Sequence, residues 1–180
     1  MLSDLDENEK IAQELMSSIK DQAEHLMIVD LERNDLGRIC EAGTVQVRSL
    51  KSLHVFPTVM HLVSVIEGKL KKEISMTDVF QAIFPGGSIT GAPKKRSMTV
   101  IDEVEKDCRE IYCGAIGYFN FNEAVSLSIP IRTAWIDGDV LYYSAGGGIV
   151  YDSQMDQEWD ELWVKCRSLI KGLEKLNRSR

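Results

Sequence analysis

The chain has 180 residues, 44% of them hydrophobic, which suits one well-cored domain and is short for two. Its 28 acidic and 21 basic residues give a net charge of -7, which argues against a general nucleic-acid-binding protein. The sequence shows no signal-peptide pattern, no apolar run of membrane-spanning length and no zinc spacing among its four cysteines. We therefore expect a cytoplasmic protein that binds no membrane, with reduced and mostly buried thiols.

The chain begins with a long amphipathic helix. Apolar residues recur at helical spacing over residues 6–28, behind possible capping residues near the start. The pattern predicts that this helix continues to about Cys40, where Gly37 or Gly43 ends it. Its last turns, in "DLERNDLGR", carry many charges.

Two strands and two helices are predicted next. Alternating apolar and polar residues predict strands over 45–55 and 61–70, separated at Pro57. Residues 75–84 then form a short helix that a serine or threonine caps, and residues 93–105 form another. A glycine-rich loop joins these two helices.

Three strands and a long helix complete the chain. The strands cover 112–121, 124–136 and 140–150, and an Asp-Gly turn links the last two as a hairpin. The helix covers 152–177 and has an apolar stripe. This order of elements predicts an α+β layered domain with a mostly antiparallel sheet, and a start on a helix without a partner strand allows for a truncated domain.

The glycine-rich loop "FPGGSITGAPKKRSM" only partly matches a phosphate-binding loop. Gly86 and Gly91 have the required separation, but Ala92 and Pro93 stand where that motif needs lysine and a hydroxyl residue. The proline also removes one amide donor. The loop therefore predicts binding of some anion, a carboxylate included, rather than a nucleotide.

The final helix carries a candidate metal and anion site. Glu158, Glu161 and Lys165 share one face over about two turns, directly after a run of three glycines. Oxygen ligands of this kind suit Mg²⁺, and glycine amides can approach a ligand closely. The alternative is a solvated helix face with an ion pair, which is the commoner situation.

Four other residues have both a functional and a structural interpretation, and a fifth, Tyr112, has a structural one alone. Glu24 and His25 lie in an otherwise apolar stretch of the first helix, where a carboxylate needs a partner or a metal. His61 opens a strand and is more often a structural histidine. Arg132 ends an apolar strand and suits bidentate carboxylate binding, whereas Tyr112 is expected in the core.

Six ordered segments resemble the carboxy-terminal part of the chorismate-utilising enzymes, over nearly the whole chain. Within that family, GGSITGAPKKR and YCGAIGY are more similar to para-aminobenzoate (aminodeoxychorismate) synthase component I than to anthranilate synthase. The segments are EHLMIVDLERNDLGR, VMHLVSVIEGKL, FPGGSITGAPKKRSM, YCGAIGYFNF, IPIRT and SAGGGIVYDSQMDQEWDE.

The resemblance implies a magnesium site. Glu24 and Glu161 match the carboxylates that hold Mg²⁺, and Glu158 is expected to act through water. The metal bridges to the ring carboxylate of chorismate, and Lys165 matches part of the shell around that carboxylate. Three glycine amides complete this shell: Gly146, Gly147 and Gly148.

The resemblance also assigns the other end of the substrate and the reacting carbon. Tyr112 and Arg132 match the residues that bind the enolpyruvyl carboxylate. His61 matches the histidine beside the ring carbon that loses its hydroxyl, and Ser88 occupies the hydroxyl-bearing position of the loop.

The implied function is amination of chorismate to 4-amino-4-deoxychorismate, with ammonia from a glutamine amidotransferase subunit, for para-aminobenzoate and folate biosynthesis. Anthranilate synthase component I and a non-catalytic binding domain remain alternatives. The family's upstream P-I-[AK]-G-T motif and a catalytic acid do not occur in residues 1–180. We therefore expect a carboxy-terminal, inactive portion of a chorismate-binding domain of the layered aminodeoxychorismate synthase fold, whose exposed sheet edges could pair in a homodimer.

Overall fold

The computed structural model describes residues 5–56 and 60–178, without the side chains of residues 5–8 and Lys20. The chain divides into two compact units, Met1–Glu103 and Val104–Arg180. None of the helices in the described ranges carries an apolar stretch of the length that a bilayer crossing needs.

The first unit begins with two helices, α1 (Leu5–Ser17) and α2 (Ile19–Ile39). The prediction of a single helix is wrong, because Ser18 leaves helical geometry and its hydroxyl accepts from the backbone N–H of Asp21 at 3.2 Å. Ser18 therefore caps a new helix. The predicted end near Cys40 is confirmed, since the N–H of Cys40 closes the last turn.

Strands β1 (Gln46–Val55) and β2 (Met60–Glu67) form an antiparallel pair, as predicted. The second strand ends three residues earlier than expected. Two irregularities interrupt the register of β1 between Val47 and Ser52. Pro57, the predicted break between the strands, lies outside the described residues.

The predicted pair of short helices is confirmed as α3 (Met76–Ile83) and α4 (Lys94–Val104). Ser75 starts α3 with a reciprocal capping box, in which its hydroxyl and the Asp78 carboxylate each satisfy a backbone amide. A short 3₁₀ turn, Gly87–Ile89, lies in the loop between the helices. The small core of the unit joins the end of α2 to α3 and consists of Ile39, Cys40 and Ala82, with Leu36, Val45, Ile74, Val79 and Ile83 packed against them.

The second unit contains two hairpins and one helix. Strands β3 (Ile116–Phe119) and β4 (Val125–Ser128) pair antiparallel, as do β5 (Ala134–Asp137) and β6 (Val140–Tyr143). Helix α5 (Met155–Arg178) follows.

Two predictions for this unit need correction. Residues 124–136 form two strands rather than one, because Pro130 falls between them and has no N–H to donate to a ladder. The last predicted strand ends at Tyr143, so the glycine run that follows it is irregular chain. The Asp-Gly hairpin turn is confirmed, and Gly138 takes a positive φ of 58° there.

The described strands pair only with antiparallel partners and combine with five helices, which confirms the predicted α+β class. All four cysteines are free. Burial is confirmed for Cys40 and Cys113, whereas Cys108 is exposed.

Candidate functional site

One face of α5 in the second unit brings the predicted charged residues together. The ammonium Nζ of Lys165 lies 2.6 Å from Oε1 of Glu161, one turn away, and donates to the carbonyl oxygen of Gly146 at 2.9 Å. Glu158 accepts a 2.6 Å hydrogen bond from the hydroxyl of Ser153, just before the helix. The helix face therefore contacts the glycine run and is not simply solvated.

The glycine run leaves an opening between these side chains. A Cβ on Gly147 would lie 3.4 Å from Oε2 of Glu158, 3.5 Å from Nζ of Lys165 and 3.9 Å from Oε1 of Glu161. Two carboxylates and one ammonium therefore surround a single point next to the main chain. Oxygen donors that converge in this way suit a hard divalent cation, and the ammonium suits an anion beside it.

Tyr112 lies at the other side of the glycine run. A Cβ on Gly146 would lie 2.9 Å from its hydroxyl oxygen. Burial raises the pKa of Tyr112 to about 12, and the neighbouring Cys113 thiol adds to the shift while Arg109 opposes it. Tyr112 is half-buried, as expected of a core aromatic, and its hydroxyl also reaches the glycine run.

Arg132 is exposed and has a positive φ of 51° at the end of the segment between β4 and β5. Burial raises the pKa of Tyr143, and Cys166 adds to the shift while the charge of Arg132 opposes it. The hydroxyl of Tyr143 donates to the carbonyl oxygen of Lys165 at 3.0 Å. Tyr143 thus links β6 to α5 at Lys165. Sequence reasoning missed this residue, because a tyrosine at a strand end carries no sign of its partner.

In the first unit, Glu24 and His61 line one open cavity of about 250 Å³. His25 lines the same cavity, and its Nε2 lies 2.6 Å from the hydroxyl oxygen of Ser64 on β2. Burial lowers the pKa of His25, and the charge of Lys51 lowers it further. His25 therefore joins α2 to β2 through its contact with Ser64.

Ser88 is exposed within the 3₁₀ turn and is not among the residues that line this cavity. The charged end of α2 lies under the turn, where sequence reasoning identified no candidate. Asp35 is 2% exposed and pairs with Lys94 of α4. Glu32, one turn earlier on α2, is half-buried, and burial raises its pKa.

Each unit thus brings together part of the predicted set. The second unit gathers Tyr112, Gly146, Gly147, Glu158, Glu161 and Lys165, and the first gathers Glu24 and His61. Within the described residues, no group of three or more His, Cys, Asp or Glu side chains is arranged to hold a metal ion. The predicted set of Glu24, Glu158 and Glu161 draws on both units and stays a prediction.

The sequence matches a protein family over almost its whole length. The profile of the chorismate binding enzymes covers residues 3–171. Aminodeoxychorismate synthase component 1 of Escherichia coli is 48% identical over 174 residues, which are 97% of this chain and 38% of that protein. The chain therefore spans less than two fifths of the length of this relative.

Two solved structures have the same fold. Anthranilate synthase component I from Streptococcus pneumoniae superimposes with a TM-score of 0.79 at 41% identity, over 91% of this chain and 38% of that one. A Bacillus anthracis protein assigned as a 2,3-dihydroxybenzoate-specific isochorismate synthase gives a TM-score of 0.83 at 28% identity, over 96% of this chain and 46% of that one. The two solved structures confirm the predicted fold class.

Proposed function

This chain belongs to the chorismate binding enzyme family, and on that premise we propose that it forms part of an aminodeoxychorismate synthase large component. The reaction is amination of chorismate to 4-amino-4-deoxychorismate, for para-aminobenzoate and folate biosynthesis. A C–N bond to ammonia forms as the C–O bond of the ring hydroxyl breaks, and the hydroxyl leaves as water. The observation that carries the proposal is the convergence of Glu158, Glu161 and Lys165 on Gly147.

The second unit supplies groups for both carboxylates of the substrate. Lys165 places a positive charge next to the ring carboxylate. The amides of the glycine run lie beside it, and the glycines have no side chains that would keep a ligand away from them. Tyr112 keeps its proton and donates a hydrogen bond to the enolpyruvyl carboxylate, and Arg132 adds a guanidinium. A dianion is thereby neutralised at both ends and fixed in orientation.

Mg²⁺ fits the donor set, since Glu158 and Glu161 converge on one point and offer only oxygen. When bound, the metal supplies charge withdrawal and a template for the substrate carboxylate. The chain itself fixes the positions of the two carboxylates. Ser153 fixes Glu158, and Lys165 fixes Glu161. Glu24, which the resemblance also assigns to Mg²⁺, lies in the first unit, and its part in metal binding stays a prediction.

His61 and Ser88 are proposed to act at the ring carbon. His61 is exposed at the cavity that Glu24 also lines, and its imidazole is proposed to move a proton to the departing hydroxyl. Ser88 presents an exposed hydroxyl from the 3₁₀ turn. Ammonia is proposed to come from a glutamine amidotransferase partner, which agrees with the "component 1" in the name of the Escherichia coli relative.

Anthranilate synthase component I is the second candidate, favoured by the Streptococcus pneumoniae structure at 41% identity. Two observations favour aminodeoxychorismate synthase over anthranilate synthase. The chain has Gly87-Ser88 where anthranilate synthases often have Gly-Thr, and it is 48% identical to the Escherichia coli protein.

The products separate the two candidates. The chain replaces the matching segment of the Escherichia coli relative, and the chimera receives chorismate, Mg²⁺ and ammonium. We expect 4-amino-4-deoxychorismate, and we expect the Glu161→Gln chimera to be inactive. Formation of anthranilate would favour the second candidate. Full activity of the Glu161→Gln chimera would contradict the site.

A further inference from the structure

Residues 109–114, the Tyr112 loop, lie just before β3 in the second unit and carry the phenol that reaches the glycine run. The backbone of this loop is strained at two residues that are not glycine, since Glu110 and Cys113 have positive φ angles of 50° and 62°. This left-handed conformation crowds a side chain and costs free energy at each residue. The shape of the loop therefore depends on contacts that offset this cost.

A pair of charged side chains fixes the start of the Tyr112 loop. The guanidinium of Arg109 donates to both carboxylate oxygens of Glu105, from Nε at 2.8 Å and from Nη2 at 2.6 Å. Such a two-bond contact sets the orientation of both groups as well as their distance. The side chain of Arg109 is only 26% exposed, so water screens this pair less than an ordinary surface pair. The hydrogen bonds from Arg109 also hold the pKa of the Glu105 carboxyl below its ordinary value.

Two backbone hydrogen bonds carry this constraint to Tyr112 and to the end of the loop. The N–H of Tyr112 donates to the carbonyl oxygen of Arg109 at 2.9 Å. The N–H of Cys113 donates at 3.2 Å to the carbonyl oxygen of Pro130, a buried residue between β4 and β5. The loop is therefore tied to a charged pair at its start and to a neighbouring segment of the same unit near its end.

We propose that Glu105 and Arg109 hold the Tyr112 loop in its strained shape and so keep the phenol against the glycine run. Both are positioning residues, because they act through the backbone that carries Tyr112 and not on a ligand. The contact leaves little room, since a Cβ placed on Gly146 would lie 2.9 Å from the Tyr112 hydroxyl oxygen. The effect of this placement on the enolpyruvyl carboxylate rests on the proposed function, whereas the placement itself does not.

Nuclear Overhauser contacts in the intact chain test the placement at neutral pH. In the parent we expect a contact between the ring protons of Tyr112 and the α-protons of Gly146, because the phenol lies against this glycine. Arg109→Met removes the two-bond contact with Glu105, and the Tyr112–Gly146 contact should weaken several-fold. A contact of parent strength in folded Arg109→Met would overturn the positioning role.

Two controls accompany this variant. The rings of Trp135 and Tyr142 stack with centroids 4.3 Å apart, and their contact reports whether the second unit stays folded. Arg48→Met is the matched substitution, because Arg48 forms an exposed pair with Glu67, with its own side chain 72% exposed. We expect both controls to match the parent.

The tyrosinate titration of Tyr112 distinguishes the position of Arg109 from its charge. The charge of Arg109 opposes the raised pKa of Tyr112, so loss of the charge alone would raise the midpoint further. A phenol that leaves its buried position would instead titrate closer to its ordinary pKa of 10.0. We expect a lower midpoint in both Arg109→Met and Arg109→Lys, because lysine keeps the charge but cannot make the two-bond contact. A higher midpoint in Arg109→Met, or an unchanged one in Arg109→Lys, would overturn the role of the pair.

A glycine at position 110 tests the contribution of strain. Glu110 is exposed, and glycine adopts its positive φ without steric cost. We expect Glu110→Gly, added to Arg109→Met, to restore much of the Tyr112–Gly146 contact. Glu110→Ala removes the same charge but keeps a Cβ, so it should not restore the contact. Equal contacts in the two double variants would overturn the proposed role of the strain.

Calorimetric titration with chorismate and Mg²⁺ tests the consequence for binding. Arg109→Met should weaken chorismate binding about tenfold, and Tyr112→Phe should add little when it is combined with Arg109→Met. A weakened Tyr112–Gly146 contact with unchanged affinity would overturn the link between placement and binding. If the parent binds no chorismate, the proposed function fails, while the nuclear Overhauser contact and the tyrosinate titration still decide the placement.

Discussion

Lys165 and Glu161 form a 2.6 Å ion pair across one turn of α5, and the same ammonium reaches the carbonyl oxygen of Gly146 at 2.9 Å. An exposed pair on a helix usually contributes little to stability. Here the side chain of Lys165 is only 21% exposed, and its second bond ties the helix to the glycine run. The pair therefore holds a carboxylate and an ammonium in fixed positions where a ligand can use both.

Replacing Lys165 by methionine distinguishes its proposed role in chorismate binding from its ion pair with Glu161. We expect Lys165→Met to weaken chorismate binding roughly tenfold or more, because the cation that we propose as a partner of the substrate carboxylate is lost. Affinity for Mg²⁺ alone should not fall, since Glu161 then loses a competing cation. Isothermal titration measures both affinities, with Lys171→Met on the exposed side of α5 as control. An equal loss of affinity for chorismate and for Mg²⁺ would contradict the prediction that Lys165 binds the substrate and not the metal.

Gly147→Ala fills the opening in the candidate site without disturbing the fold. The new Cβ would meet only the ends of flexible side chains at 3.4 Å or more, so we expect the unfolding temperature to change little. It would, however, occupy the point on which Glu158, Glu161 and Lys165 converge, and binding of Mg²⁺ with chorismate should weaken several-fold. A variant that binds like the parent would show that the ligand does not use this opening.

The matched glycine control lies within α5. Gly172 has nothing within 4 Å of its Cβ position, and alanine is favoured over glycine in helices. We expect Gly172→Ala to stabilise the chain by about 0.5–1 kcal/mol in denaturant unfolding and to leave binding unchanged. Loss of binding in this variant would mean that the Gly147→Ala effect is not local.

Glu32 should make stability depend on pH. Burial raises its pKa, and Asp35 adds to the shift, while Lys94 and the turn amides oppose it. A carboxyl with a raised pKa holds its proton longer in the folded state, so its contribution to the free energy of unfolding falls as pH rises above its ordinary value of 4.5. Glu32→Gln removes this dependence. Its stability relative to the parent should therefore grow with pH, and a difference that shrinks would contradict the assignment.

Tyr112 should titrate with a pKa of about 12. A phenol with a raised pKa stabilises the folded state fully below pH 10, and this contribution is lost as pH rises towards 12. The difference in tyrosinate absorbance between parent and Tyr112→Phe isolates this group among five tyrosines. A midpoint near 10 would show that Tyr112 is not buried beside Cys113.

Sequence patterns predicted the elements better than their interruptions. The apolar period of the first helix continues through Ser18, so the break there was visible only as a serine three residues before Asp21, a weak capping signal. Pro130 lies inside an apolar run that predicts one strand, although proline cannot donate to a ladder. In both cases a single residue interrupts the element, and the apolar pattern that continues on both sides of it predicts one uninterrupted element.

For the candidate site, the sequence predicted contacts within a helix but not contacts between residues far apart in the chain. The i, i+3 and i+7 spacing placed Glu158, Glu161 and Lys165 on one face, because helical geometry alone determines that. The burial of Asp35 could not be foreseen in the same way, since charges at a helix end usually face water. Its partner Lys94 is 59 residues away, and only tertiary structure brings the two together.

We propose that the carboxylates on α5 bind chorismate together with Mg²⁺. Calorimetric titration of chorismate into the intact chain, with and without Mg²⁺, tests it when parent, Glu161→Gln and the exposed control Glu174→Gln are compared. We predict Mg²⁺-dependent binding by the parent and the control, and at least a tenfold loss in Glu161→Gln. Absence of any heat from the parent, or equal binding by all three proteins, would contradict the claim.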